Sequence, residues 1–77
     1  MTVADLLAGQ HARVLAVQAN PALEAKLREI GFCEGDGVQL IARGPLGGQP
    51  LAVRLNRRII AMRDDEAAAL VVEAIHG

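Results

Sequence analysis

Aromatic side chains are almost missing from this chain: Phe32 is the only one among 77 residues, with no Tyr and no Trp. Any core must therefore be mostly aliphatic, and no aromatic-walled groove for proline-rich peptides can be built. Readers of single-stranded nucleic acid gain about 1–3 kcal/mol per base from aromatic stacking, and no such platform is available. Serine is absent altogether, so no Ser–His–Asp set exists. Cys33 stands alone, which rules out an internal disulfide and suits a reducing compartment. The longest apolar run, residues 67–72, is far too short to span a bilayer. The first five residues lack the basic and apolar pattern of a secretory leader. Charge of one sign is not in excess either, with 8 Lys+Arg against 9 Asp+Glu and a formal net charge of -1. Nucleic-acid binders usually carry a clear basic surplus. The expectation is a soluble, cytoplasmic protein with no direct membrane insertion and no nucleic-acid partner.

What the chain does have is aliphatic residues, at 52% hydrophobic overall. Residues 1–77 make one domain, small enough that folding buries only about 60–65% of the surface of the unfolded chain. Thr2 and Asp5 have capping-box spacing, which places Leu6 and Leu7 on a helical turn ended by Gly9. Residues 11–17, HARVLAV, read as a strand. Asn20 as N-cap, Pro21 at the first helical position, and Leu23, Leu27 and Ile30 on one face predict a helix over 21–30 stopped by Gly31. Glu24 and Arg28 form an i, i+4 pair on its outside. A strand follows over 38–43, then a breaker-rich loop over 44–50, then an alternating strand over 51–55. Asn56 and Arg57 turn the chain into a strand over 58–63, Asp64 to Glu66 open a helical turn, and residues 70–72 form a last strand. The predicted core is Leu23, Leu27, Ile30, Val38, Leu40, Val53, Leu55, Leu70 and Val72. The fold class is mainly β: about five short strands, one inserted helix and short helical turns. Such a sheet is expected to close into a small barrel, because closure removes exposed edges.

Chemistry-bearing residues are few and scattered. His11, Cys33 and His76 have no CxxC, HxxxH or HExxH spacing, the pairs by which structural zinc sites announce themselves. Cys33 is expected as a small, partly buried side chain. No cofactor is required; an adventitious divalent ion would use weak surface ligands from His11, Glu73 and His76. Asp64, Asp65 and Glu66 resemble paired carboxylates, but acids at the start of a helical turn are favoured by the helix dipole alone. Gly44–Gly48 lacks the GxxxxGK that a phosphate loop requires. The expectation is a non-enzyme. One charge cluster remains, Arg54, Arg57, Arg58 and Arg63. It reads equally as a charge-protected sheet edge and as a partner-binding patch.

Several segments, in order, resemble the FeoA family of ferrous iron transport proteins. Residues 27–32, LREIGF, followed by EGDGV at 34–38, are similar to that family's RL-x-x-LGL-x-x-G-x-x-V stretch. Residues 42–50, ARGPLGGQP, are similar to its APLGDP loop, and IAMR at 60–63 followed by Glu66 and Ala67 is similar to LALR-x-x-EA. The likeness covers roughly residues 6–73. Its departures are single residues: Lys26, Phe32, Gly44 and Met62 stand where the pattern has Arg, Leu, Ala and Leu.

The resemblance implies an SH3-like barrel that assists ferrous iron uptake by contact with the cytoplasmic GTP-binding part of a FeoB-type transporter. Partner contact is expected around the helix and the 44–50 loop, through Arg43, Leu46 and Arg28, with Arg54, Arg57 and Arg58 as the neighbouring basic edge. Homo-oligomerisation is left open. Two rivals stand beside this reading: a small RNA- or ribosome-binding barrel, and a detached metal-sensing regulatory domain.

Overall fold

The computed structural model describes residues 1–75; His76 lies outside the described residues. A 3₁₀ turn at Val3–Asp5 leads into β1 (His11–Val17), α1 (Pro21–Ile30), β2 (Gly37–Gly44) and β3 (Gly48–Leu55). Then come β4 (Arg58–Met62), α2 (Asp64–Ala68) and β5 (Leu70–Ala74). All ladders are antiparallel, in the order β4-β3-β2-β1-β5.

The helix is set by its ends. Asn20 Oδ1 accepts from the Leu23 N–H at 2.8 Å, satisfying one of the orphan donors of the first turn. Gly31, at φ 121°, reverses the chain while its own N–H and that of Phe32 donate to the Leu27 carbonyl at 3.2 and 3.1 Å. That reversal drives Phe32 into the core, where it is fully buried, and turns Cys33 out to solvent. The expected partial burial of Cys33 is thereby corrected: the pocket after the helix belongs to its neighbour.

Phe32 shares one buried core cluster with Leu27, Val38, Leu40, Val53, Leu55, Leu70 and Val72, and the partly buried Leu23 and Ile30 pack against that cluster. The other core members are Val3, Leu6, Ala12, Val14, Leu51, Met62, Ala67 and Ala69. At the N-terminus the helical turn is shorter than the capping pattern suggests. The Asp5 carboxylate accepts from the Thr2 N–H at 2.8 Å, but the turn stops before Leu6, which is buried, and Leu7 points outward.

The expectation of a closed barrel is overturned. No ladder joins β4 to β5; the five strands form one open sheet with these two at its edges. Two features keep them apart. The five-residue α2 lies between them in sequence. The outer edge of β5 is already taken, since Thr2 bridges Val71 and the Val72 N–H donates to the Met1 carbonyl at 2.9 Å. Side chains connect what strands do not: Lys26 of α1 pairs with Glu66 of α2, and Arg58 of β4 donates to the Ile30 carbonyl of α1. Register shifts near Leu15 and Ile41 curl the sheet without closing it.

Candidate docking surface

The breaker-rich segment is not an open loop but the tip of a hairpin. Gly47 and Gly48, at φ 67° and 91°, form the two central residues of a tight turn. Leu46 and Gln49 exchange N–H to carbonyl bonds across it, both 3.2 Å. Two consecutive positive φ angles match the right-handed twist of the strands, and glycine reaches them without strain. Gly44 has another reason: a Cβ there would lie 2.4 Å from the Gln49 carbonyl oxygen. The hairpin thus holds Leu46 at its tip, 77% exposed.

Beneath Leu46 lies a shallow open hollow of about 440 Å³, lined by Leu46, Gln49, Pro50 and Arg63. Its floor is fixed, because Gln49 Oε1 accepts from the Asp64 N–H at 3.0 Å and ties the start of α2 to β3. Arg63, exposed just after β4, supplies a cation at the rim of a wall that Leu46 and Pro50 make mostly apolar. The hollow brings together the 44–50 segment and the last arginine of the basic cluster, which sequence spacing alone does not place side by side. The register of β3 on β4, with Leu51 opposite Met62, is what joins them.

The other arginines divide into two groups. Arg28 is committed internally: its guanidinium forks onto Glu34 at 2.5 and 3.0 Å, donates to the Phe32 carbonyl at 3.3 Å, and lies 3.5 Å from Glu24. The hydrogen bonds from Arg28 hold the Glu34 carboxyl down to about 2 and raise the arginine further. The helical Glu24 pair is therefore real but secondary to Glu34. Arg43 donates to the Ala4 and Leu6 carbonyls at 2.6 and 3.0 Å, pinning the N-terminal turn to β2. Arg58 is occupied by the Ile30 carbonyl, an approach that the missing Cβ of Gly31 accommodates. Arg54 and Arg57 face solvent.

The weak metal ligands are not brought to one point. His11 lines a second, smaller hollow of about 240 Å³ together with Arg54, a cation that opposes another cation there. Glu73 sits opposite Arg13 in the β1–β5 register and pairs with it at 3.7 Å. Among the described residues no group of three or more His, Cys, Asp or Glu gathers, and His76 lies outside them. The sequence reading did not single out two exposed strand hydrophobics, Leu15 on β1 and Ile59, 57% exposed on β4. The signal for Ile59 was present, since Ile59 and Ile60 are adjacent in a strand and must point to opposite faces.

Residues 1–74 match the FeoA domain. The chain belongs to the FeoA family. Among solved structures, it is similar to Stenotrophomonas maltophilia FeoA complexed with zinc, at 41% identity over 95% of this chain and 89% of that one, TM-score 0.84. That protein is described as a prokaryotic SH3 domain protein with a suggested role as a bacterial ferrous iron transport activating factor. The FeoA protein of Chlorobium tepidum matches at 32% identity, over all of this chain and 72% of that one, with a TM-score of 0.88. The manganese regulator SloR shares the fold at 15% identity, with 97% of this chain and 34% of that one aligned and a TM-score of 0.82. The curated proteins give no match.

Proposed function

We propose that this chain is a cytoplasmic accessory protein of ferrous iron uptake that works by contact with the cytoplasmic GTP-binding part of a FeoB-type membrane transporter. The observation that carries this reading is the likeness, over nearly its whole length, to the S. maltophilia protein with its suggested transport-activating role. The surface fits contact rather than catalysis: Leu46 at the hairpin tip and the hollow it shares with Pro50 and Arg63 offer an apolar anchor beside a free cation. Of the six residues expected to meet the partner, Leu46, Arg54 and Arg57 have exposed side chains that make no hydrogen bond among the described residues, and these are the ones we assign to the interface. Arg28, Arg43 and Arg58 support the surface from behind.

Iron is cargo in this reading and passes through the transporter. A related protein, that of S. maltophilia, is complexed with zinc; among the described residues of this chain no group of three or more donors gathers, and His11 and Glu73 each lie beside an arginine. An ion held here would be adventitious and at the surface, as the weak ligands His11, Glu73 and His76 suggest. Calorimetric titration against the isolated cytoplasmic domain of a FeoB-type transporter tests the proposal. Saturable binding that weakens in a Leu46→Ala, Arg57→Glu variant is expected. No binding by the folded wild-type chain would overturn it.

A further inference from the structure

The two edges of the sheet are unequal in their hydrogen bonding and in their charge. Met1 and Thr2 cover β5, whereas among the described residues β4 makes no backbone hydrogen bond outside its ladder with β3. In an antiparallel ladder alternate residues direct both N–H and C=O away from the partner, so the outer side of β4 presents a row of free donors and acceptors. Charge is segregated along the same edge. Arg13, Lys26 and Arg28 each have a carboxylate partner. Among the described residues five arginines have none: Arg43 of β2, whose guanidinium is spent on the Ala4 and Leu6 carbonyls, and Arg54, Arg57, Arg58 and Arg63, which all lie on β3, β4 or the residues flanking β4. After Arg58, β4 is apolar up to Arg63, with Ile59 exposed beside its centre and the Leu46–Pro50 hollow at its far end.

We propose that β4 receives an extended acidic segment of a partner protein as a sixth strand, with carboxylates at its two ends and an apolar middle. The inference rests on the accessory reading above and names the chemistry of the segment that docks. The segment's backbone would complete the free row of β4, and its two carboxylates would meet Arg57 and Arg63. An apolar side chain near one end would enter the hollow beside Leu46. Main-chain bonds give such an addition its affinity and alternate side chains its specificity. A second copy of this chain is disfavoured as the occupant. Antiparallel self-pairing centred on Ile60 sets Arg57 opposite Arg63 twice over, and like charges directly opposite destabilise a pair. Nucleic acid would use the arginines but leave the backbone row and Ile59 unsatisfied.

The test is an NMR titration of the ¹⁵N-labelled chain with three capped synthetic peptides. The first alternates Val and Thr between Glu residues at both ends; the second carries Lys in place of Glu; the third carries a central Pro. With the acidic peptide, at millimolar concentration, amides of residues 58–62 should shift, and those that point away from β3, Ile59 and Ala61, should gain protection from hydrogen exchange. The Arg57→Glu, Arg63→Glu variant should bind it at least tenfold more weakly, and the other two peptides should leave β4 unprotected. The proposal is overturned by any of four results: no β4 response, equal binding of the lysine peptide, β4 protection in the peptide-free chain through self-association, or salt-sensitive binding of single-stranded RNA in place of peptide. Capture of the transporter domain with β4 amides still exchanging freely would keep the accessory reading and remove this edge from it.

Discussion

The sheet ends in two strands of five residues each, and the chain treats them in opposite ways. β5 is sealed from within the chain: the N-terminal residues pair with it, the 3₁₀ turn is held by Asp5, and Arg43 fastens that turn to β2. β4 is left open and surrounded by arginines without carboxylate partners among the described residues. An open strand edge invites unwanted pairing, and basic side chains are a common guard against it. Guarding explains the charge, but neither Ile59 standing exposed in the middle of the guarded strand nor the hollow at its end. The contrast teaches that one edge is finished within the chain while the other, among the described residues, keeps an unpaired backbone row, the one the proposed acidic segment would complete.

The largest expected effect breaks both edges at once. Leu27 is fully buried on the one long helix, next to Phe32, and Leu27→Ala should lower stability by about 2–5 kcal/mol. A denaturant midpoint close to wild type would contradict the core described above. The next effect separates the helical side from the edges. Glu66 is nearly buried, accepting from the Arg63 N–H at 2.9 Å and pairing with Lys26. The backbone hydrogen bond first, and Lys26 second, hold its carboxyl below the usual range. Glu66→Ala should cost about 1.5–3 kcal/mol at neutral pH. Because the folded-state value is depressed, this contribution is complete above the ordinary glutamate value of about 4.3 and is lost as pH falls through the lower folded value. The gap between wild type and variant should therefore be constant from pH 7 to 5 and close only in more acid solution. A gap that widens on acidification would reverse the assignment.

A smaller effect unseals β5. Asp5→Ala removes the acceptor of the Thr2 N–H, with an expected loss of about 1 kcal/mol and faster amide exchange at Val72, whose N–H bonds to Met1. Unchanged exchange there would mean that the N-terminal cover does not depend on the turn. The smallest effect is at the hairpin tip. Leu46→Ala should shift stability by less than about 0.5 kcal/mol while weakening association with the transporter domain. A destabilised variant would show that Leu46 packs inward despite its exposure.

Much of this fold was legible because its signals are local. Asn20, Pro21 and Gly31 bound α1 at both ends, and the β-branched run of residues 11–17 marks β1. Closure was not legible, since whether β4 meets β5 depends on where residues 1 and 2 lie, a contact across some 70 positions. The hairpin was read as a longer loop because Pro50 and its glycines look like breakers one by one. Only together do Gly47 and Gly48 make a two-residue turn. At the candidate surface, sequence named the basic residues but not which of them are spent on carbonyls. Arg43 and Arg58 reach backbone oxygens 28 to 39 positions away, and no spacing rule reveals that.

Hydrogen exchange of the chain with and without the cytoplasmic domain of a FeoB-type transporter tests the contrast between the edges most directly. The account predicts new protection at the outward amides of β4, Ile59 and Ala61, and at the 46–50 hairpin tip, with β5 amides unchanged. Protection confined to α1 or β5, with β4 exchanging as in the free chain, would contradict it.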